Sequence, residues 1–132
     1  MNVVLDTNVL VSAIWSPGRS AYEIVQAVIG RRFTACYDHR ILEEYQRVMR
    51  YPKFGFSDWE VSAVLEPIIK NGFSIAATPL PDIPFTDESD RKFYEVAREA
   101  HAVLVTGNGK HYPDDGVAMR TADFYERYVL GG

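Results

Sequence analysis

Apolar and polar positions follow two rhythms along this chain. Asn2–Leu5 (NVVL) is a short apolar run, partly β-branched and ended by Asp6, and it reads as a buried strand. Ser20–Ile29 sets Tyr22, Ile24, Val25, Val28 and Ile29 at helical spacing and stops at Gly30. Residues 33–37 (FTACY) form a second strand candidate, and residues 40–50 (RILEEYQRVMR) an amphipathic helix ended by Pro52. Ser57-Asp58-Trp59-Glu60 has the spacing of a capping box opening a further helix, which Asn71-Gly72 closes. Residues 73–77 (FSIAA) read as a strand, 80–85 (LPDIPF) as a proline-rich loop and 87–100 as a helix. Residues 102–106 (AVLVT) then read as a strand ended by Gly107, 117–121 as a last strand and 122–130 as a last helix. Strands alternating with helices predict an α/β fold, a mostly parallel sheet covered on both faces.

Composition narrows this picture. A chain of 132 residues suits one domain, spanning 1–132, and shows no internal repeat or Ser/Gly linker. The hydrophobic and charged fractions, 47% and 24%, are globular and exclude disordered, fibrous and coiled-coil classes. Cys36 is the single cysteine, so an internal disulfide is excluded. No apolar run approaches the ~18 residues of a membrane span. Asp6 interrupts what would have to be a signal's apolar stretch, which argues against export and for a cytoplasmic protein. A net charge of -4 argues against a simple polyanion binder with a basic face.

Acids stand where a core would exclude them. In an open parallel sheet, ligands bind beyond the carboxyl ends of the strands. Asp6 follows the first strand directly, and Asn108 lies two residues past the strand at 102–106. Alone, Asp6 would serve equally well to cap a turn. In the helix at 40–50, Ile41, Leu42, Tyr45, Val48 and Met49 define the apolar face; Glu43 points away from it and Glu44 borders it. In the helix from Asp87, Asp90 joins Phe93, Tyr94 and Ala97 at i, i+3, i+4 and i+7, whereas Glu95 and Glu99 point toward solvent. A buried carboxylate must be paired or bind a metal. The competing reading of Asp90 is a first-turn acid favoured by the helix dipole. Asp87 suits an N-cap, close enough to contribute an extra acid.

Asp6, Glu44, Asp90 and Asn108 therefore make a candidate oxygen-donor site for Mg²⁺ or Mn²⁺. His39, His101 and His111 are scattered, so zinc lacks a ligand cluster. No GxGxxG or P-loop offers a phosphate cradle.

These residues lie in segments that resemble a known family. VVLDTNVLVSAI, ILEEY, DESDRKFYEVA and LVTGNGKHYP, in that order across nearly the whole chain, resemble a PIN domain, and TADFYERY resembles the family's closing strand-to-helix junction. The resemblance implies a five-stranded parallel α/β/α sandwich and a metal-dependent nuclease acting on single-stranded RNA. It further implies a ribonuclease toxin paired with a small antitoxin protein, and a homodimer. Asp6, Glu44 and Asp90 match the family's acids, while Asn108 falls where many members carry a fourth acid. That leaves three charged ligands, with Asp87, Asp114 or Asp115 as possible additions.

The implied chemistry is phosphodiester hydrolysis with one or two ions held by Asp6, Asp90 and Glu44. Glu44 or Asp87 would orient the water. Thr7, Asn8 and Thr106 suit outer-shell or phosphate contacts, and equally simple turns. Arg91 and Lys92 beside Asp90, with Lys110 and His111 after Asn108, supply local positive charge. Arg47, Arg50 and Lys53 precede Phe54 and Phe56, which would stack bases or else cover the core. An aspartyl-phosphate phosphatase would need an Asp where Asn8 stands. A PIN-like RNA- or protein-binding module without turnover is the other alternative, and Asn108 is the feature that favours it.

Overall fold

A computed structural model of the chain describes residues 1–131. Five parallel strands form one sheet in the order β3-β2-β1-β4-β5. They are β1 (Asn2–Leu5), β2 (Thr34–Tyr37), β3 (Phe73–Ser74), β4 (Val103–Thr106) and β5 (Ala118–Arg120). Six helices accompany them: α1 (Thr7–Trp15), α2 (Ser20–Ile29), α3 (His39–Val48), α4 (Asp58–Asn71), α5 (Arg91–Glu99) and α6 (Thr121–Phe124). The chain winds outward from β1 through β2 to β3, then crosses back to place β4 on β1's other side. Val3 pairs with both Ala35 and Val103, so β1 is the central strand where the winding reverses. Such a reversal opens a crevice at the carboxyl edge.

Burial explains the layers. Val3, Val4 and Leu5 are inaccessible, as are Leu104 and Val105, because helices cover both sheet faces. α5 packs on β1, β2 and β4, with α3 beside it; α2 packs with α1, α4 and α6. The result is the expected α/β/α sandwich.

Local chemistry sets the element ends. α4 opens with the full capping box: Ser57 Oγ accepts from the Glu60 N–H at 3.1 Å, and Glu60 accepts from the Ser57 N–H at 2.8 Å. Gly72 closes α4 for a reason of space. A Cβ there would lie 2.4 Å from the Ala35 carbonyl oxygen and 2.9 Å from the Tyr37 ring, so only glycine lets β3 approach β2.

α1 lies outside the elements the periodicity predicts, because Val9, Leu10, Val11 and Ala13 are all buried and only Asn8 and Ser12 mark a polar side. Two expectations need correction. The helix expected from Asp87 is a 3₁₀ turn at Glu88–Asp90 followed by α5. Glu95, expected to be solvated, is only 3% exposed. The loop at 80–85 folds over the outer side of α5 and covers it: Glu95 accepts from the Leu80 N–H at 2.7 Å and pairs with Arg40 at 2.8 Å.

Candidate active site

Asp6 stands at the carboxyl end of β1, held there by its own N–H donating to the Val105 carbonyl at 2.9 Å. Its backbone opens α1, yet its side chain makes no capping bond, so the carboxylate remains for other use. Thr106 and Tyr112 each donate a hydroxyl to Asp6 Oδ2 at 2.9 Å. Burial pushes the Asp6 carboxyl above its ordinary range, and Glu44 adds to this, while the two hydroxyls oppose it. Tyr112 itself is driven far above its ordinary range by burial and by Asp6 and Asp90, so it stays protonated as a donor. It was absent from the sequence candidates; a lone Tyr in the run GKHYP gives no signal without the fold.

α3 brings Glu44 to the same edge. Tyr45 is fully buried and donates to the Leu5 carbonyl at 2.5 Å, which fixes α3 against the residue preceding Asp6. Glu44, buried as its border position suggested, uses both oxygens. One accepts the Thr7 hydroxyl, and the other lies 2.7 Å from Lys92 Nζ. Thr7 thus positions Glu44 at the helix start, and the local positive charge expected of Lys92 is committed to Glu44.

Asp90 arrives at the start of α5. Its carboxyl is 13% exposed, and buried Oδ2 has no hydrogen-bond partner. His111 Nδ1 lies 3.4 Å away, within ion-pair range but outside hydrogen-bond geometry. Burial, then the charges of Asp6 and Asp87, push the Asp90 carboxyl up to about 6; Glu44 adds to the rise and His111 opposes it. The first-turn capping role falls instead to Asp87, which accepts from the Ser89 N–H at 2.9 Å and Oγ at 2.7 Å. Asp87 is exposed, and those bonds hold its carboxyl below the ordinary range.

Asn108 sits differently. Its N–H donates to Thr106 Oγ1 at 3.0 Å, linking it to Asp6 through one hydroxyl, while its side chain lines an open groove. Asn8 Oδ1 accepts from the Gly107 N–H at 3.0 Å and so ties the α1 start to the turn after β4. Asp115 is engaged by the Tyr94 hydroxyl and the Val117 N–H. Arg91 pairs with Glu88 at 2.6 Å and donates to the Leu80 and Ile83 carbonyls, so it fastens the loop over α5. Lys110 is exposed.

The basic residues from the end of α3 onward are engaged within the chain. Arg47 bonds Glu43 and Tyr51, Arg50 lies 3.5 Å from Asp58, and Lys53 stands over the Phe54 ring. Phe54 and Phe56 stack on each other at 5.5 Å, with Trp15 edge-on to both.

The donor set fits a hard divalent ion of low protein coordination. Among the described residues, no cluster of three or more Asp, Glu, His or Cys side chains is disposed about one point as metal ligands. The Asp6 charge nonetheless disfavours ionisation of Asp90, and the buried Asp90 Oδ2 is an oxygen donor without a partner. Mg²⁺ commonly takes one or two protein carboxylates and completes its shell with water and substrate phosphate.

A central β1 carrying a buried acid, with a second acid delivered across the crevice by the helix before β4, defines a parallel α/β protein with an acidic site at its winding reversal. The family model for the PIN domain matches residues 2–110, and the chain belongs to the PIN-domain family. PIN domains are typically nucleases, and those nucleases generally use divalent metals. No curated protein and no solved structure matches the chain. Among the described residues, no helix is long and apolar enough to cross a membrane.

Proposed function

We propose that this protein is a metal-dependent endoribonuclease that hydrolyses phosphodiester bonds of single-stranded RNA, acting as a single PIN-like domain over 1–132. The observation that carries the reading is the buried, partnerless Asp90 oxygen beside buried Asp6 at the sheet's reversal point. A structural role alone would leave two like charges desolvated with no return, and such sites are stabilised by apolar replacement.

Asp6 and Asp90 are the residues that would hold Mg²⁺ or Mn²⁺. When bound, such an ion supplies Lewis acidity toward a phosphodiester and a water molecule. Tyr112 and Thr106 fix the orientation of Asp6 by both donating to the same oxygen, Oδ2. Glu44 is held by Thr7 and Lys92, so it shapes the field at the site more directly than it offers a free lone pair. Lys92 places a fixed positive charge where negative charge would develop on phosphate. His111 faces Asp90 from the mouth of the site and is more than half exposed, where it can meet solvent or a leaving group.

Two features favour a second reading, a binding module with little or no turnover: Asn108 carries no charge, and Glu44 is already ion-paired. The two part in one assay. Purified protein with Mn²⁺ should cleave single-stranded RNA, and both EDTA and Asp6→Asn should abolish cleavage. Equal cleavage by Asp6→Asn would sink the site assignment.

The finer role follows from the family. The chain is read as the cytoplasmic toxin of a toxin–antitoxin pair, blocked by a small antitoxin and working as a homodimer. A small open reading frame beside the gene, whose product suppresses growth arrest by this protein, is the supporting result.

A further inference from the structure

Three hollows meet at the turn after β4. One of about 500 Å³ is lined by Asn8, Ser12, Arg19, Ser20, Asn108 and Thr121, among others. A second of about 340 Å³ shares Gly107 and Thr121 with it and adds Arg120 and Asp123. The third, about 610 Å³, lies across Asn108 and Gly109 and includes Lys110, Arg120 and Asp114. Together they make a polar groove that starts beside Asn108, one hydroxyl away from Asp6.

The cations of this groove differ from the others near the site. Arg40, Arg47, Arg50, Arg91 and Lys92 are each held by a carboxylate. Among the described residues, Arg19, Lys110 and Arg120 enter no such pair, and all three are exposed. Arg120 lies across Gly109, where a Cβ would come within 3.2 Å of its Cγ, so that glycine lets the side chain cross the groove. Asn8 uses its carbonyl on Gly107, which leaves its amide N–H groups free. Asn108 offers a neutral amide where an acid would repel an anion. The hollow nearest the acids is lined by hydroxyls, amides and the Arg19 guanidinium, and its apolar members Val9 and Ala21 are buried. The two outer hollows add Arg120 and Lys110 together with Asp114 and Asp123, and the small apolar residues Pro113, Ala118 and Ala122. A peptide interface would need an exposed apolar seat at its centre, whereas donors of this kind suit phosphate oxygens.

We propose that this groove is the track for the strand flanking the cleaved bond, with Arg19 and Arg120 holding backbone phosphates of single-stranded RNA. Asn108 belongs to this track as a neutral donor beside the acids. The assignment rests on the nuclease reading, since it gives the substrate named there a path to the acids.

The test is the salt dependence of RNA binding by the full chain in EDTA, read by fluorescence anisotropy with a short labelled single strand of mixed sequence. Arg19→Gln/Arg120→Gln should weaken binding and lower the slope of log affinity against log salt by about 1.4 between about 50 and about 200 mM salt, because each single-strand phosphate contact contributes about 0.7. Asn108→Asp should also weaken binding, and Lys70→Gln, on the exposed part of α4, should leave it unchanged. Thermal melts establish that each variant is folded. An unchanged slope in the folded double variant overturns the proposal, as does failure of the wild type to bind the strand; tight binding of an acidic peptide instead would reassign the groove to a protein. Mn²⁺-dependent hydrolysis of a small aryl phosphodiester by the wild type is measured separately. Its absence would remove the nuclease reading while the strand-binding result stood.

Discussion

Lys92 Nζ lies 2.7 Å from Glu44 Oε1, so a candidate ligand acid is neutralised from within the chain. The two side chains are 13% and 12% exposed, and among the described residues Lys92 is the only lysine or arginine in an ion pair with Asp6, Glu44 or Asp90. Lys92→Met would leave Glu44 desolvated with the Thr7 hydroxyl alone. Removing one partner of a nearly buried bond is expected to cost about 1–3 kcal/mol. Urea denaturation in EDTA measures it. Added Mn²⁺ should then raise the melting temperature of Lys92→Met by more than that of the wild type, because Glu44 becomes available to an ion. Equal shifts would show that Glu44 has no part in metal binding.

Asp90 gives the site a pH dependence of definite sign. Its folded carboxyl titrates at about 6, above its ordinary value of 3.8, so the folded chain binds more protons than the unfolded chain between those limits. Stability in EDTA should therefore fall as pH rises through that window. Asp6, also raised by burial, acts in the same direction. Mn²⁺ affinity should rise over the same range, since binding must displace the proton. Calorimetry at pH about 5 and about 7 reads both effects, and Asp90→Asn should flatten the stability profile. A wild-type profile that rises with pH would contradict the desolvated state of Asp90.

Tyr112 is a positioning residue for Asp6. Tyr112→Phe keeps the ring against Phe85 and removes only the donor. The expected loss is about 0.5–1.5 kcal/mol of stability, typical of one hydrogen bond, or somewhat more because the acceptor is a carboxylate. With one lowering influence gone, the Asp6 carboxyl should move further up, and the pH at which Mn²⁺ binds should follow it. A change in stability without that movement would mark Tyr112 as packing alone.

Much of this was legible before any coordinates. Alternating strand and helix patterns place Asp6 at a sheet edge, and the spacing of Asp90 with Phe93, Tyr94 and Ala97 identifies its face. What failed had a common cause: periodicity reports what one helix presents, not what covers it. Glu95 points away from the sheet as expected, yet the loop at 80–85 lies over it. The sequence places Lys92 beside Asp90 as local positive charge but does not show its pairing with Glu44, because Glu44 is on another helix, distant in sequence. Tyr112 and the unpaired Arg120 are brought to the site by the turn after β4 and by β5, whose placement depends on pairing with β4, and Arg19 is brought there by the start of α2. Net charge is a total and does not say where the charges fall. Several of the acids behind the value of -4 are buried or ion-paired, while three free cations gather in one groove.

The cover over α5 has its own test. Arg40 bridges Asp38 at 2.7 Å and Glu95 at 2.8 Å, and Glu95 holds the Leu80 N–H, so one guanidinium joins the α3 cap to the loop at 80–85. Arg40 is 38% exposed and Glu95 only 3%, so most of the desolvation falls on the acid. Arg40→Met should cost about 3 kcal/mol, the lower end for breaking a buried pair from one side. The double variant Arg40→Met/Glu95→Gln removes the more buried of the two stranded charges, leaves Asp38 with the Ile41 N–H, and keeps a side-chain acceptor for Leu80, so it should recover part of that loss. Urea denaturation measures the cost, and limited proteolysis within the loop should quicken in the single variant and slow again in the double. If the double variant is no more stable than Arg40→Met, the loss reflects packing of the arginine stem and not the buried charge of Glu95.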